Sequence, residues 1–81
     1  MKKKRLLKFT VVFERAVEGG YVAIVPSLPG CVTQGETLAE AERMVKEAIQ
    51  GYCESLCKHG EPIPTEAGEI VREVRVPVAA G

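Results

Sequence analysis

The side chains of this 81-residue sequence that lend themselves to chemistry are three cysteines, one histidine and a set of glutamates. Cys53 and Cys57 are four residues apart, which on a helix puts both thiols on one face and would suit a two-thiolate metal clip. His59 follows two residues later and, at about 100° per residue, turns well away from that face. With Cys31 the one remaining thiol, a tetrahedral site from one chain is not expected, and buried or half-buried thiols are the alternative. Cys31 follows Pro29-Gly30 and could be imagined as a nucleophile, but it would need a base, and the sole histidine lies at the far end of the expected helix. Glu40, Glu42, Glu47 and Glu54 lie on or beside the solvent side of that helix and read as solubility and pairing charges, not as converging acids or metal ligands. There is no Gly-x-Gly-x-x-Gly, no Walker-type loop and no serine elbow. No catalytic residue, metal ligand or cofactor is assigned, and the chain is not read as an enzyme.

The elements that would position such groups follow from the apolar spacing. From Leu7 to Val17, Phe9, Val11 and Phe13 alternate with Lys8, Thr10 and Glu14, the pattern of a half-buried strand. Glu18-Gly19-Gly20 supplies turn residues, and Tyr21 to Val25 is a β-rich apolar run, so the two segments should form an antiparallel hairpin. Pro26-Ser27-Leu28-Pro29-Gly30 breaks the pattern, and Pro29-Gly30 suits the central positions of a type II turn. A short third strand, Cys31 to Gln34, can follow before Gly35. Thr37-Leu38-Ala39-Glu40 reads as a capping box that starts a helix. Leu38, Ala41, Val45, Ala48, Ile49, Tyr52 and Leu56 make its apolar stripe, with the Glu42 to Lys46 pair on the far side. Gly60, with Pro62 and Pro64 beyond, ends it. After a polar loop over Glu61 to Glu69, Ile70 to Val76 returns to strand character and Pro77 closes it. The expected fold is α+β in β-β-β-α-β order: a three-stranded antiparallel sheet plus a C-terminal strand, with one long helix packed on one face, in a single domain over residues 1–81.

A composition of 46% hydrophobic and 27% charged residues at zero formal net charge is that of a globular protein. A core this small leaves a thin margin of stability and makes association with a second subunit an expectation. No h-region follows Lys2-Lys3-Lys4-Arg5, no run approaches the roughly 20 apolar residues of a membrane span, and the odd cysteine count suits reduced thiols, so a cytoplasmic protein without membrane contact is expected. Residues 1 to 15 carry six bases against Glu14 alone; such a cluster suits nucleic acid or an acidic partner, or simply keeps an edge strand soluble.

One helix covers one face of a sheet, leaving the other to water or to another chain. Tyr21, Ala23 and Val25 take one side of the second strand and Val22 and Ile24 the other, so some of Val12, Tyr21, Val22 and Ile24 should remain exposed unless a partner covers them. These four are the candidate interface of a homodimer, the alternative being a scatter of ordinary surface apolar residues.

The run from Gly20 to Ala41, with its Pro-x-Leu-Pro-Gly-Cys turn at Pro26 to Cys31, resembles the HicB-like antitoxin family. The likeness continues through Glu47-Ala48-Ile49, Tyr52 and Gly60-Glu61-Pro62-Ile63-Pro64, and so covers most of the chain. It implies a partly degenerate ribonuclease H-like fold, a homodimer or higher homo-oligomer, and a role in a type II toxin-antitoxin pair, where the antitoxin masks a small mRNA-cleaving toxin of the HicA type. Many members carry a C-terminal DNA-binding module, whereas this chain stops at Gly81 after the last expected strand, so direct DNA binding is not expected. The candidate partner-binding residues are Pro26, Ser27, Leu28, Pro29 and Gly30, where a rigid turn would present Leu28 outward, and Glu40 and Glu47 on the acidic helix face, since an RNA-binding toxin should be basic. The competing reading is a non-catalytic scaffold or small-ligand-binding oligomer without a toxin; a nuclease is disfavoured by the scattered carboxylates.

Overall fold

The computed structural model describes residues 6–64 and 72–79. It is an α+β fold in which β1 (Val12–Arg15), β2 (Tyr21–Ile24) and β3 (Val32–Gly35) precede one long helix, α1 (Leu38–Lys58). The strands lie in the order β1-β2-β3 with both pairings antiparallel. The first hairpin closes through the Gly19 amide donating to the Ala16 carbonyl at 3.1 Å and the Ala16 amide donating to the Gly20 carbonyl at 3.0 Å. Those bonds put Val17 and Glu18 at the tip and aim the Ala16 backbone at β2. By the alternation of an antiparallel ladder, Glu14 and Val12 also bond inward, and the backbone groups of Phe13 and Arg15 point out from the β1 edge.

The register sorts the side chains into two faces. Phe13, Ala23 and Thr33 stand side by side on one, and Val12, Ile24 and Val32 on the other. Only the first meets α1. Its core is Ala23, Val25, Leu28, Cys31 and Val45, with Phe9, Val11, Phe13, Ala48, Ile49, Tyr52 and Cys53 packed around it. The helix lies chiefly over β3 and then β2, leaving β1 at the margin, and Phe9, Val11 and Phe13 are accordingly only half-buried.

Both helix ends are capped by local sequence. Thr37 Oγ1 accepts from the Glu40 amide at 3.0 Å, while the Glu40 carboxylate reaches back to the Glu36 amide at 3.4 Å, one residue before the position a capping box uses. At the other end the Glu61 amide donates to the Leu56 carbonyl at 2.9 Å and the Gly60 amide to that of Cys57 at 3.1 Å, a Schellman pair. Leu38, expected in the apolar stripe, is instead exposed, because Ala41 is the first helical residue to reach the core.

The expected C-terminal strand over Ile70 to Val76 is not formed where it can be seen. Ile70 and Val71 lie outside the described residues, and Arg72 to Val76 join no sheet. Strand-like alternation needs an edge to bond to, and within the single chain Val74, Val76 and Val78 stand 77%, 67% and 77% exposed. The basic cluster Lys2 to Arg5 also lies outside the described residues.

Candidate functional site

The loop joining β2 to β3 is held by backbone hydrogen bonds along its length. Two consecutive turns build it: the Leu28 amide donates to the Val25 carbonyl at 3.1 Å, and the Cys31 amide to the Leu28 carbonyl at 3.0 Å. The Val25 amide closes the base on the Cys31 carbonyl at 3.1 Å. Gly30 has φ +81°, so Pro29-Gly30 occupies the centre of the second turn as a type II turn requires.

The structure corrects one expectation here. Leu28 does not face outward: its side chain is fully buried in the core with Val25, Cys31 and Val45. The double turn folds the loop back over the end of the sheet, and burial of a leucine there outweighs display of it. The surface the loop offers is therefore Pro26, Pro29 and Gly30, all exposed, with Ser27 half-buried beside them and its Oγ buried without a hydrogen-bond partner. Tyr52, read from the sequence only as part of the apolar stripe, fixes this loop: its hydroxyl donates to the Pro29 carbonyl at 2.9 Å.

Glu40 and Glu47 stand on the same side of α1, seven residues and roughly 10 Å apart along its axis. Glu47 is exposed; Glu40 is half-buried and its carboxylate is engaged at the helix start. Along Leu38–Lys58 four carboxylates stand against three bases, so the helix leans acidic only slightly. A shallow cavity of about 240 Å³ lies beside Glu40, lined also by Ala16, Gly19, Tyr21, Gln34, Gly35 and Glu36.

On the face away from the helix, Val12 and Val32 are 41% and 53% exposed and flank the half-buried Ile24, with Val22 half-buried one pair along between Glu14 and Gln34. Three of the four expected interface residues, Val12, Val22 and Ile24, thus share one apolar patch. Tyr21 does not belong to it: alternation puts Tyr21 on the helix side, at the cavity. Val32 completes the row; its signal was present in the alternation of Cys31 to Gln34 but depended on knowing the register with β2.

The three thiols are graded in exposure, Cys31 buried, Cys53 half-buried and Cys57 exposed. Burial raises the pKa of Cys31 above 9.0, and burial followed by the neighbouring Cys57 and Cys31 raises that of Cys53. Both are thereby held as thiols, the less nucleophilic form. Among the described residues no three His, Cys, Asp or Glu side chains are grouped to hold a metal ion, and no helix is long and apolar enough to cross a membrane.

Comparison with known proteins matches residues 9–77 to a family described as the HicB_like antitoxin of bacterial toxin-antitoxin systems. A UPF0150 protein of Thermoplasma acidophilum is 51% identical over 63 residues, 78% of this chain and 91% of that one. A UPF0150 protein of Synechocystis is 43% identical over 63 residues, 78% of this chain and 80% of the relative. The protein named Antitoxin HicB 1 in Photorhabdus laumondii is 32% identical over 76 residues, 91% of this chain but only 49% of its own length.

Proposed function

Because the chain belongs to the HicB-like antitoxin family, we propose that it binds and neutralises a small, basic, mRNA-cleaving toxin of the HicA type, acting in the cytoplasm by binding and without catalysis of its own. The family match across residues 9–77 carries this reading. The β2–β3 loop supports it as the contact surface: Pro26, Pro29 and Gly30 are exposed on a backbone held by three turn hydrogen bonds and by Tyr52, so docking them loses little conformational entropy. Glu47 and the free side of Glu40 would meet the toxin's basic surface, steering association more than setting affinity. The same reading has the chain self-associate as a homodimer or higher oligomer through Val12, Val22, Ile24 and Val32, whose apolar row lies outside the core.

The test is co-expression with any small basic protein found to be encoded beside its gene. The expected result is restored growth and a co-purifying complex that Glu47→Lys weakens at low salt. No rescue and no complex with any small neighbouring product, together with a stable oligomer that retains a metabolite, would establish the scaffold reading in its place.

A further inference from the structure

Cys53 and Cys57 are the two thiols of the helix and take no part in the toxin contact proposed above. Both fall within α1, and the last turn, which carries Cys57, is held in register by its cap: the Gly60 amide donates to the Cys57 carbonyl at 3.1 Å and the Glu61 amide to that of Leu56 at 2.9 Å. Four residues apart on a formed helix, the two side chains stand one above the other on one face. Cys53 is half-buried at the core margin and Cys57 is exposed, so the pair backs onto apolar packing at one end and opens to solvent at the other. Burial first, and Cys57 next, raise the pKa of Cys53, as happens when two thiolates would repel across a short gap.

Spacing decides which chemistry such a pair suits. Helix positions four apart hold their Cβ atoms about 5–6 Å from each other, whereas a disulfide needs about 3.5–4.5 Å. Oxidation of the pair would have to unwind the capped turn. Two sulfurs on opposite sides of one ion, each bonded at about 2.3 Å, stand about 4.6 Å apart. The two Cβ positions reach that separation with the turn intact.

The donor set selects the ion. Among the described residues no third His, Cys, Asp or Glu is grouped with the two thiols. His59 places Nδ1 2.7 Å from the Ser55 carbonyl, and Cys31 is buried in the core. A zinc site closed by four protein ligands is therefore out of reach, and a hard cation finds no converging carboxylates. A soft ion satisfied by two sulfurs fits, and thiolates favour copper(I) among the first-row metals. We propose that Cys53 and Cys57 form a two-thiolate site for a single copper(I) ion, held within one chain on one face of α1. Each thiol releases its proton to solvent as it coordinates, and no electron is transferred. The ion replaces repulsion between the sulfurs with attraction to a shared cation. The site depends on neither a toxin nor self-association.

Anaerobic titration of the reduced full chain with copper(I), in competition with a chromogenic copper(I) chelator, tests it. The expected result is one ion held per chain with no change in sedimentation mass. Cys53→Ser and Cys57→Ser should each weaken binding by about a hundredfold or more, because a single thiolate loses the advantage of its tethered neighbour. Cys31→Ser should leave the affinity unchanged. A paired variant keeps the number of thiols and moves one: Cys57→Ser with Ser55→Cys turns the second thiol about 200° round the helix from Cys53 and is expected to bind no better than Cys57→Ser alone. Ser55 and Cys57 are both exposed, so this exchange leaves the core untouched. Undiminished binding by the paired variant, an equal loss in a folded Cys31→Ser chain, or one ion shared between two chains overturns the site. So does a chain that retains no ion against the chelator.

Discussion

The Tyr52 hydroxyl donates to the Pro29 carbonyl at 2.9 Å across 23 positions of sequence, tying the second half of α1 to the tip of the β2–β3 loop. Tyr52→Phe keeps the ring in the core margin and removes only this bond. The expected loss is roughly 0.5–1.5 kcal/mol in denaturant unfolding, with faster exchange of the Cys31 amide that closes the second turn. Unchanged exchange in the loop would show that the two turns hold it without the tyrosine.

Leu28 and Pro29 are adjacent, and their substitutions should separate core from surface. Leu28→Ala empties a fully buried site against Val25, Cys31 and Val45 and is expected to lower stability by about 2–5 kcal/mol. Pro29→Ala alters an exposed turn residue and should cost less than about 1 kcal/mol. Binding measurements on the folded proteins then report on contact at Pro29 without contribution from packing at Leu28.

That contrast also marks what the sequence could and could not tell. Local rules suffice where the determining partners are near in sequence: Gly19 and Gly20 in the hairpin, Thr37 and Glu40 at the helix start, Gly60 at its end, and the alternation of Phe9, Val11 and Phe13. The orientation of Leu28 was not legible because Pro-x-Leu-Pro-Gly specifies a turn and is silent on which way the turn folds against a helix packed above it. Tyr52 looked like one more stripe residue because its polar tip finds a partner only in the folded chain. Val32 joined the open row only through the β2–β3 register, and the alternation after Arg72 was readable as a strand while its bonding partner was not. The thiols were the reverse case: a spacing that invites chemistry resolves into three sites of graded burial.

Two glycines give opposite predictions from the same substitution. A Cβ on Gly35 would overlap the backbone nitrogen and Cα of Ala41, where β3 meets the first turn of α1. Backbone cannot swing aside as a side-chain tip can, so Gly35→Ala is expected to destabilise by about 1–3 kcal/mol as strand and helix separate. Gly51 is helical, exposed, and its Cβ would meet nothing within 4 Å. Gly51→Ala should therefore stabilise by up to about 1 kcal/mol through helix propensity alone. Thermal unfolding of the pair checks both signs at once.

Burial of Cys31 and Cys53 couples stability to alkaline pH. Each has its pKa raised above the ordinary 9.0 in the folded chain, so the folded state retains protons that the unfolded state releases as pH climbs past that value. The stabilisation is fully present below pH 9.0 and declines as pH rises toward the higher folded-state values. Cys31→Ala should lower stability near neutrality by leaving a small void and should flatten the alkaline decline, whereas Cys57→Ala, at an exposed site, should leave the Cys31 share of that decline in place. A disulfide-exchange reagent gives an independent reading in native buffer. Cys57 should react first, Cys53 more slowly, and Cys31 at a rate set by opening of the loop, so that Tyr52→Phe accelerates the last of these and spares the first.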